Sequence, residues 1–185
     1  MSLSSVATLR RATPADVPAI LQLIHELAVY EKGPDAVKTT VETLTGQLFG
    51  ENPAIFAHVV EEREDGVSGS PEVMGFALWF LNYSTWEGTH GIYLEDLYVR
   101  PQARGRGYGK ALLEELARTA VERGYARVEW AVLKWNEPSI GFYRSLGAVP
   151  MEEWDTFRLT GDALAAFGRT DGTSAPGGAA FEAAR

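Results

Sequence analysis

The spacing of apolar residues predicts alternating strands and helices along this chain. Val6 to Arg11 has the composition of a strand. Thr13 and Pro14 then suit the start of a helix, because threonine caps the first N–H groups and proline is tolerated in the first turn. The apolar residues that follow recur at helical intervals, which predicts one core-facing side. They are Val17, Ile20, Leu21, Ile24, Leu27 and Ala28.

The middle of the chain predicts a second helix and then three strands. The helix covers Thr40 to Phe49, after a break at Gly33-Pro34. The runs that predict strands are Ile55 to Glu61, Val73 to Leu81 and Tyr93 to Val99. A charged loop rich in Gly and Ser, Glu62 to Pro71, separates the first two runs. Pro101 ends the third, because proline has no N–H for a strand ladder.

The last third of the chain continues the alternation. A helical apolar pattern follows Lys110, and the later elements are a strand at Arg127 to Leu133, a short helix around Tyr143, a strand at Glu153 to Leu159 and a helix at Asp162 to Phe167. We expect residues 1–168 to form a single domain. Residues 169–185 are rich in Gly and Ala and predict a C-terminal tail.

Composition excludes several classes of protein. The 185 residues contain no cysteine, which rules out disulfides, cysteine zinc sites and a thiol nucleophile, and which fits a reducing, cytoplasmic setting. A net charge of −8 disfavours a nucleic-acid binder. No apolar run is long enough to span a membrane, so we expect no membrane partner. His25, His58 and His90 lack metal-ligand spacing, so we expect no metal.

A basic, glycine-rich segment lies between the third of these strands and its helix: Arg104-Gly105-Arg106-Gly107-Tyr108-Gly109-Lys110. Glycines let a ligand approach the backbone, and the first N–H groups of a helix have no internal acceptors, so this order predicts an anion site. Together with Arg100, its cations predict a positive patch. The spacing fits neither the P-loop nor the dinucleotide pattern. It fits [QR]-x-x-G-x-[GA], and the alternative is a flexible glycine turn.

With that loop, the chain resembles the GCN5-related N-acetyltransferases (GNAT), and within them the diamine and thialysine acetyltransferases. The segments that carry the subfamily likeness are Leu27-Ala28-Val29-Tyr30-Glu31, Tyr83-Ser84-Thr85-Trp86, Tyr93-Leu94-Glu95-Asp96 and Trp135-Asn136-Glu137-Pro138 with Ser139 to Tyr143. The resemblance implies an α/β fold, with a mixed central sheet and helices on both faces. It also implies acetyl-CoA as co-substrate, bound by the loop, by the backbone of Leu97 and Val99, and by Asn136.

The chemistry of amine acetylation needs a base. An amine is inert while protonated, and a lysine-like ammonium leaves roughly one molecule in two thousand free at neutral pH. Glu95 and Asp96 are the obvious acids, and adjacent strand residues point to opposite faces, so at most one faces the acetyl group. The resemblance selects Glu95 as the base acting through water and places Asp96 near the substrate cation. The alternative is an exposed acidic pair at a strand end.

The resemblance also assigns a proton donor and a substrate site. It makes Tyr143 the acid that assists the departing thiolate, although the spacing of Phe142, Tyr143 and Leu146 equally fits a core aromatic. The residues that it matches to the substrate cation are Tyr30, Glu31, Trp86, Asp96, Asn136 and Asp155, with Glu153 close enough in sequence to replace Asp155.

These features together predict an N-acetyltransferase that moves an acetyl group directly from acetyl-CoA to a small cationic amine, since no cysteine is present to hold the group in between. Polyamine-acetylating members carry Asp where this chain has Ser84, which favours a smaller amine or amino acid. The alternatives are a protein acetyltransferase acting on Lys or N-termini, and an acyl-CoA-binding sensor without catalysis. The resemblance also implies a homodimer, because members of the family pair in this way.

Overall fold

The computed structural model describes residues 5–64 and 70–169, and these contain five strands and five α-helices. The strands are β1 Ser5–Arg11, β2 Phe56–Glu64, β3 Glu72–Ser84, β4 Thr89–Val99 and β5 Val128–Trp130. The helices are α1 Val17–Tyr30, α2 Val41–Phe49, α3 Tyr108–Arg123, α4 Glu137–Ser145 and α5 Gly161–Gly168. The described residues fall into two compact units, which divide between Leu133 and Lys134. The first unit holds the sheet with α1 to α3, and the second holds α4 and α5.

The sheet is mixed, as predicted. Its strand order is β1-β2-β3-β4-β5, in which the first four strands are antiparallel to their neighbours and β5 runs parallel to β4. The parallel pair is joined through α3, as parallel strands require a crossover connection.

Helices cover both faces of this sheet. Alternate strand residues such as Val59, Phe76 and Tyr98 pack in one core with Val17 and Ile20 of α1. The other face of the sheet packs against α3 through its buried residues Leu112, Leu113, Leu116 and Ala120. Period-two alternation in the strands and 3.6-residue spacing in the helices therefore bury complementary surfaces, as the sequence predicts.

Thr13 begins the first helical segment, as predicted. The side chain of Asp16 accepts hydrogen bonds from the backbone N–H of Thr13, at 2.7 Å, and from its hydroxyl, at 2.8 Å. Arg10 pairs with the same carboxylate at 2.7 Å. One 3₁₀ turn, Pro14–Asp16, precedes α1. This network fixes the direction in which the chain leaves β1.

Two predicted strands differ in the structure. Residues 151–160 contain no strand, so the prediction for Glu153 to Leu159 is wrong for this chain by itself. The strand predicted at Arg127 to Leu133 shortens to Val128–Trp130, because β4 pairs with those three residues alone among the described ones. Residues 170–185 of the predicted tail lie outside the described residues, and the single-domain organisation stays a prediction.

Candidate active site

The strand β4 changes its pairing at the candidate acids. Leu78 of β3 pairs with Asp96, whereas the next residue, Trp79, pairs with Leu94. Glu95 is therefore the extra residue of a β-bulge, which interrupts the strict alternation of side chains. The pairing with β5 stops at Leu94 as well. Beyond the bulge, β4 thus has β3 on one side and no described β5 residue on the other.

The backbone of Leu97 and Val99 faces this open edge. Arg100 donates its N–H to the Met74 carbonyl of β3, at 2.9 Å. Because hydrogen-bonded and non-bonded pairs alternate between antiparallel strands, the polar groups of Leu97 and Val99 point away from β3. The carbonyl of Val99 accepts a hydrogen bond from Arg104 Nε at 3.0 Å, and a carbonyl oxygen can accept a second.

Three acids meet near the bulge. Glu95 is exposed and Asp96 is half-buried. Burial raises the pKa of Asp96 from 3.8 to about 6, with further contributions from the negative charges of Glu95 and Glu31. Glu31 follows the last residue of α1, and although it is an exposed residue, partial enclosure of its carboxyl raises its pKa. This cluster would gain from a cation that neutralises it.

The glycine loop has the geometry of an anion site. Gly105 and Gly107 adopt φ angles of 77° and 85°, which favour glycine, and a Cβ at either position would meet no heavy atom within 4 Å. The first intrahelical bond of α3 runs from the Ala111 N–H to the Gly107 carbonyl, at 2.9 Å. The N–H groups of Tyr108, Gly109 and Lys110 therefore precede it and have no acceptor within the helix.

Acidic neighbours reduce the positive patch that the sequence predicts around this loop. Arg100 is buried and pairs with Glu26, at 3.2 Å, and with Glu72. Lys110 pairs with Glu114 at 3.1 Å. Arg106 pairs with an acid of β2, as described next. The anion site therefore depends mainly on main-chain N–H groups and Arg104, because Arg100, Arg106 and Lys110 are each paired with an acid.

Glu62 is a site residue that the sequence analysis missed. It was expected in the loop from Glu62 to Pro71, but β2 extends to Glu64, and Glu62 is buried. Its carboxylate accepts from Arg106 Nη1, at 2.7 and 3.0 Å, and from the Tyr108 hydroxyl. Both sides of Gly107 are thereby tied to the sheet. The local sequence carries no signal for this role, because residues 61–64 are all charged and their composition favours an exposed loop.

The residues predicted to hold the substrate cation do not all come together in the first unit. Tyr30 and Glu31 lie at the end of α1, and Asp96 lies on β4. Trp86 lies in the β3–β4 turn and is 84% exposed. Seven residue steps along β4 separate Thr89, at that turn, from Asp96, which corresponds to about 20 Å. Trp86 therefore cannot line the same small site as Asp96 within one chain.

Ser84 lies at the end of β3, next to that turn. It is buried, and its hydroxyl accepts the backbone N–H of Glu87 at 3.2 Å. The structure thus gives Ser84 a part in shaping the turn, and its influence on substrate choice stays a prediction.

Four of the predicted residues lie in the second unit. Asn136 is buried and precedes α4 as its N-cap. Tyr143 is half-buried on α4, with its ring centroid 5.4 Å from that of Phe142. Glu153 and Asp155 are exposed, outside any helix or strand. The roles predicted for these residues stay predictions.

His58 lies in the first unit with a partner from the neighbouring strand. Trp79 Nε1 donates to Nδ1 of the buried His58 at 3.2 Å, which gives this histidine a structural contact. In the described part of the chain, no three His, Cys, Asp or Glu side chains gather as a metal site. No helix in residues 5–64 and 70–169 has the length and apolar character that a membrane crossing requires.

Comparison with known proteins places this chain in a family. Residues 20–148 match the model of the acetyltransferase (GNAT) family. A thialysine N-ε-acetyltransferase of Bos taurus is 40% identical, over 84% of this chain and 94% of its own length. An L-ornithine N5-acetyltransferase of Arabidopsis thaliana is 35% identical, over 85% of this chain and 86% of its own.

Solved structures agree on the fold. An aminoglycoside acetyltransferase from an uncultured soil metagenomic sample superposes with a TM-score of 0.67 at 19% identity, covering 83% of this chain and 95% of its own. The predicted fold is thereby confirmed. The predicted acetyltransferase activity is confirmed by the family model and by the relatives at 40% and 35% identity. The chain belongs to the GNAT acetyltransferase family. It is an enzyme of that class, and its similarity is to acetyltransferases of amines.

Proposed function

We propose that the enzyme transfers an acetyl group from acetyl-CoA directly to a primary amine of a small cationic substrate. The observation that carries this proposal is the acid cluster near the bulge. Glu95 and Asp96 lie on β4, the strand that leads into the glycine loop, and Glu31 joins them from the end of α1. An acid cluster attracts an ammonium group, and the loop attracts a phosphate. Their placement along β4 suits a reaction between these two ligands.

The residues present fit acetyl-CoA. A Cβ at Gly105 or Gly107 would meet no heavy atom within 4 Å, so the space beside the loop is open. The first N–H groups of α3 can receive a pyrophosphate there. The exposed polar groups of Leu97 and Val99 can pair with the amides of a pantetheine arm as an added strand would. Asn136 is proposed as a further contact. The bound co-substrate supplies an activated acetyl group on a thiol leaving group.

On the amine side, the chain must bind an ammonium group and then remove its proton. Asp96 and Glu31 are proposed to hold the cation, whose positive charge would return the pKa of Asp96 toward its ordinary value. Glu95, exposed at the bulge, is proposed as the base that accepts the proton through water. Tyr143 is proposed to donate a proton to the departing sulfur, since a phenol hydroxyl is a ready donor.

The proposed substrates are small amino acids that carry a side-chain amine, and diamines. The relatives at 40% and 35% identity are named for acetylation of thialysine and of ornithine, both of which are small cationic amino acids. Ornithine and thialysine each carry one side-chain ammonium, which matches a compact acid cluster better than an extended groove.

A homodimer is proposed because one chain leaves parts of the site apart. The turn that carries Trp86 meets β4 at Thr89, about 20 Å from Asp96 along the strand, so we propose that Trp86 reaches an amine held by Asp96 from a second copy. A dimer would also cover apolar side chains that are exposed in the second unit. They are Val149, Met151, Trp154, Phe157, Leu159, Leu164 and Phe167.

Thiol release across a panel of amines tests the reaction. The purified enzyme is mixed with acetyl-CoA and thialysine, ornithine, lysine, putrescine, spermidine, spermine or a lysine-containing peptide, and free thiol is measured with a chromogenic reagent. We expect the highest kcat/KM for thialysine or ornithine. A preference for spermine would contradict the substrate class, and a preference for the peptide would favour a protein acetyltransferase. Acetyl-CoA binding without turnover of any amine would indicate a sensor.

Subunit complementation tests the shared site. Trp86→Ala and Asp96→Asn chains are each expected to be nearly inactive. Random pairing after co-refolding should restore roughly a quarter of wild-type activity, because each mixed dimer has one site with neither substitution. A mixture as inactive as its components, in a dimer of normal mass, would show that both residues serve one site within a chain.

A further inference from the structure

Arg104 contacts three parts of the proposed site at once. Its guanidinium carbon lies 5.2 Å from the ring centroid of Tyr30 at the end of α1, and 5.6 Å from that of Tyr98 on β4. Its Nε donates to the carbonyl of Val99. In sequence, Arg104 directly precedes Gly105 of the glycine loop. One side chain therefore joins the loop, the strand and the tyrosine that precedes Glu31.

A second and more rigid link runs beside it. Glu26 lies one helical turn before Tyr30 on α1 and pairs with Arg100 at 3.2 Å. The Arg100 side chain is 9% exposed, and it also pairs with Glu72. The buried guanidinium of Arg100 thus links α1 to the end of β4. Arg104 is exposed, so its position over Tyr30 depends on weaker contacts that a ligand can strengthen.

We propose that Arg104 couples acetyl-CoA binding at the glycine loop to amine binding at Tyr30 and Glu31. The inference rests on the function proposed above. A guanidinium binds phosphate through N–H groups in its plane and stacks on aromatic rings through its faces, so both contacts can exist together. Nε already donates to Val99, and the terminal N–H groups remain for a phosphate.

The coupling follows from the order in which side chains are fixed. A phosphate on the loop would hold the Arg104 guanidinium in one position, which in turn would hold the ring of Tyr30 and the adjacent Glu31. The amine then binds residues that are already ordered, and so it loses less conformational entropy. By thermodynamic reciprocity, the amine must strengthen binding of acetyl-CoA by the same factor.

Calorimetry with a pair of ligands that cannot react measures this factor. Thialysine is titrated into the enzyme with and without saturating coenzyme A, and coenzyme A is titrated with and without thialysine. We expect wild-type enzyme to bind each ligand roughly three- to tenfold more tightly when the other is present. In Arg104→Lys, which keeps the charge but loses the planar group, and in Tyr30→Leu, which loses the ring, the factor should fall close to one.

Matched substitutions elsewhere separate coupling from general damage. The guanidinium carbon of Arg11, on β1, lies 5.3 Å from the ring centroid of Phe56, on β2. These two strands are at the edge of the sheet that is farther from β4. Arg11→Lys and Phe56→Leu make the same chemical changes there and should leave the coupling factor at its wild-type value. If Arg104 has a merely structural role, its substitution should lower the affinity for each ligand alone, or the melting temperature. The coupling factor, which is the ratio of affinities with and without the second ligand, should then stay the same.

Each outcome decides a separate question. Normal binding and turnover with a wild-type coupling factor of one would overturn the coupling alone. An unchanged factor in both Arg104→Lys and Tyr30→Leu would do the same, because it would assign the coupling to other residues. Failure to bind coenzyme A at all, or to acetylate any amine of the panel, would refute the proposed function and the coupling together.

Discussion

Asp96→Asn is expected to make the enzyme more stable while making it less active. Burial, with the charges of Glu95 and Glu31, raises the pKa of Asp96 from 3.8 to about 6. Between those pH values the folded chain keeps a proton on Asp96 that the unfolded chain has released, so stability falls as the pH rises. Above pH 6, ionisation of Asp96 lowers the free energy of unfolding by its full amount. This penalty is about 3 kcal/mol, at about 1.4 kcal/mol per pKa unit.

An amide at this position carries no charge and escapes the penalty. We expect Asp96→Asn to raise the free energy of unfolding by up to about 3 kcal/mol at pH 7.5, and by about half as much at pH 5. Urea denaturation at the two pH values measures both quantities. Asp35→Asn makes the same change at an exposed aspartate and is the control for the chemical change itself.

Activity provides the second half of this prediction. A neutral amide attracts an ammonium group less strongly than a carboxylate does, so Asp96→Asn should lower kcat/KM. In the wild-type enzyme, kcat/KM should fall as the pH drops through about 6 and Asp96 becomes protonated. A stability gain that is equal at pH 5 and pH 7.5 would refute the raised pKa. A stabilised variant with full activity would refute the role of Asp96 in amine binding.

Three further substitutions test single residues. Gly107→Val should lower acetyl-CoA affinity at least tenfold, or about 1.4 kcal/mol, because a φ of 85° disfavours a β-branched residue and its side chain would fill the space above the loop. Calorimetry measures this, and unchanged affinity in a folded variant would exclude the loop as the binding site. Glu95→Gln should lower kcat/KM about 100-fold at neutral pH, and less as the pH approaches the pKa of the amine; a pH-rate profile with a constant loss would exclude a base. Tyr143→Phe should lower kcat while acetyl-CoA affinity and Tm stay close to wild type, whereas normal kcat with a lower Tm would indicate a packing role.

Local sequence was sufficient to predict the glycine loop and the helix after it. Positive φ at Gly105 and Gly107, and free N–H groups at the start of α3, depend on residues within a few positions of one another. The same holds for Thr13, whose role at the start of the first helix depends on Asp16 three residues later. A single sequence contains all the information that such features need.

The bulge at Glu95 was not predictable in this way. It arises from the register between β3 and β4, which depends on how two distant segments align their apolar faces. The raised pKa of Asp96 depends in turn on Glu31, which reaches it from another element. Glu62 was assigned to a loop for a related reason: its charge suggested solvent, whereas Arg106 and Tyr108 compensate that charge across a distance of more than forty residues.

The strand that the sequence predicts at Glu153 to Leu159 is absent from the single chain that the structure describes. Aromatic and apolar residues interspersed with polar ones favour a strand, but this composition is the same whether the neighbouring strand belongs to the same chain or to another. Residues 151–160 form no strand in the described chain, and Phe157 is 93% exposed. An exposed aromatic residue within a strand-like segment is the composition expected of a surface that a partner covers. If complementation between Trp86→Ala and Asp96→Asn chains restores activity, the second copy that completes the amine site is also the natural candidate to supply the sheet edge that this segment lacks.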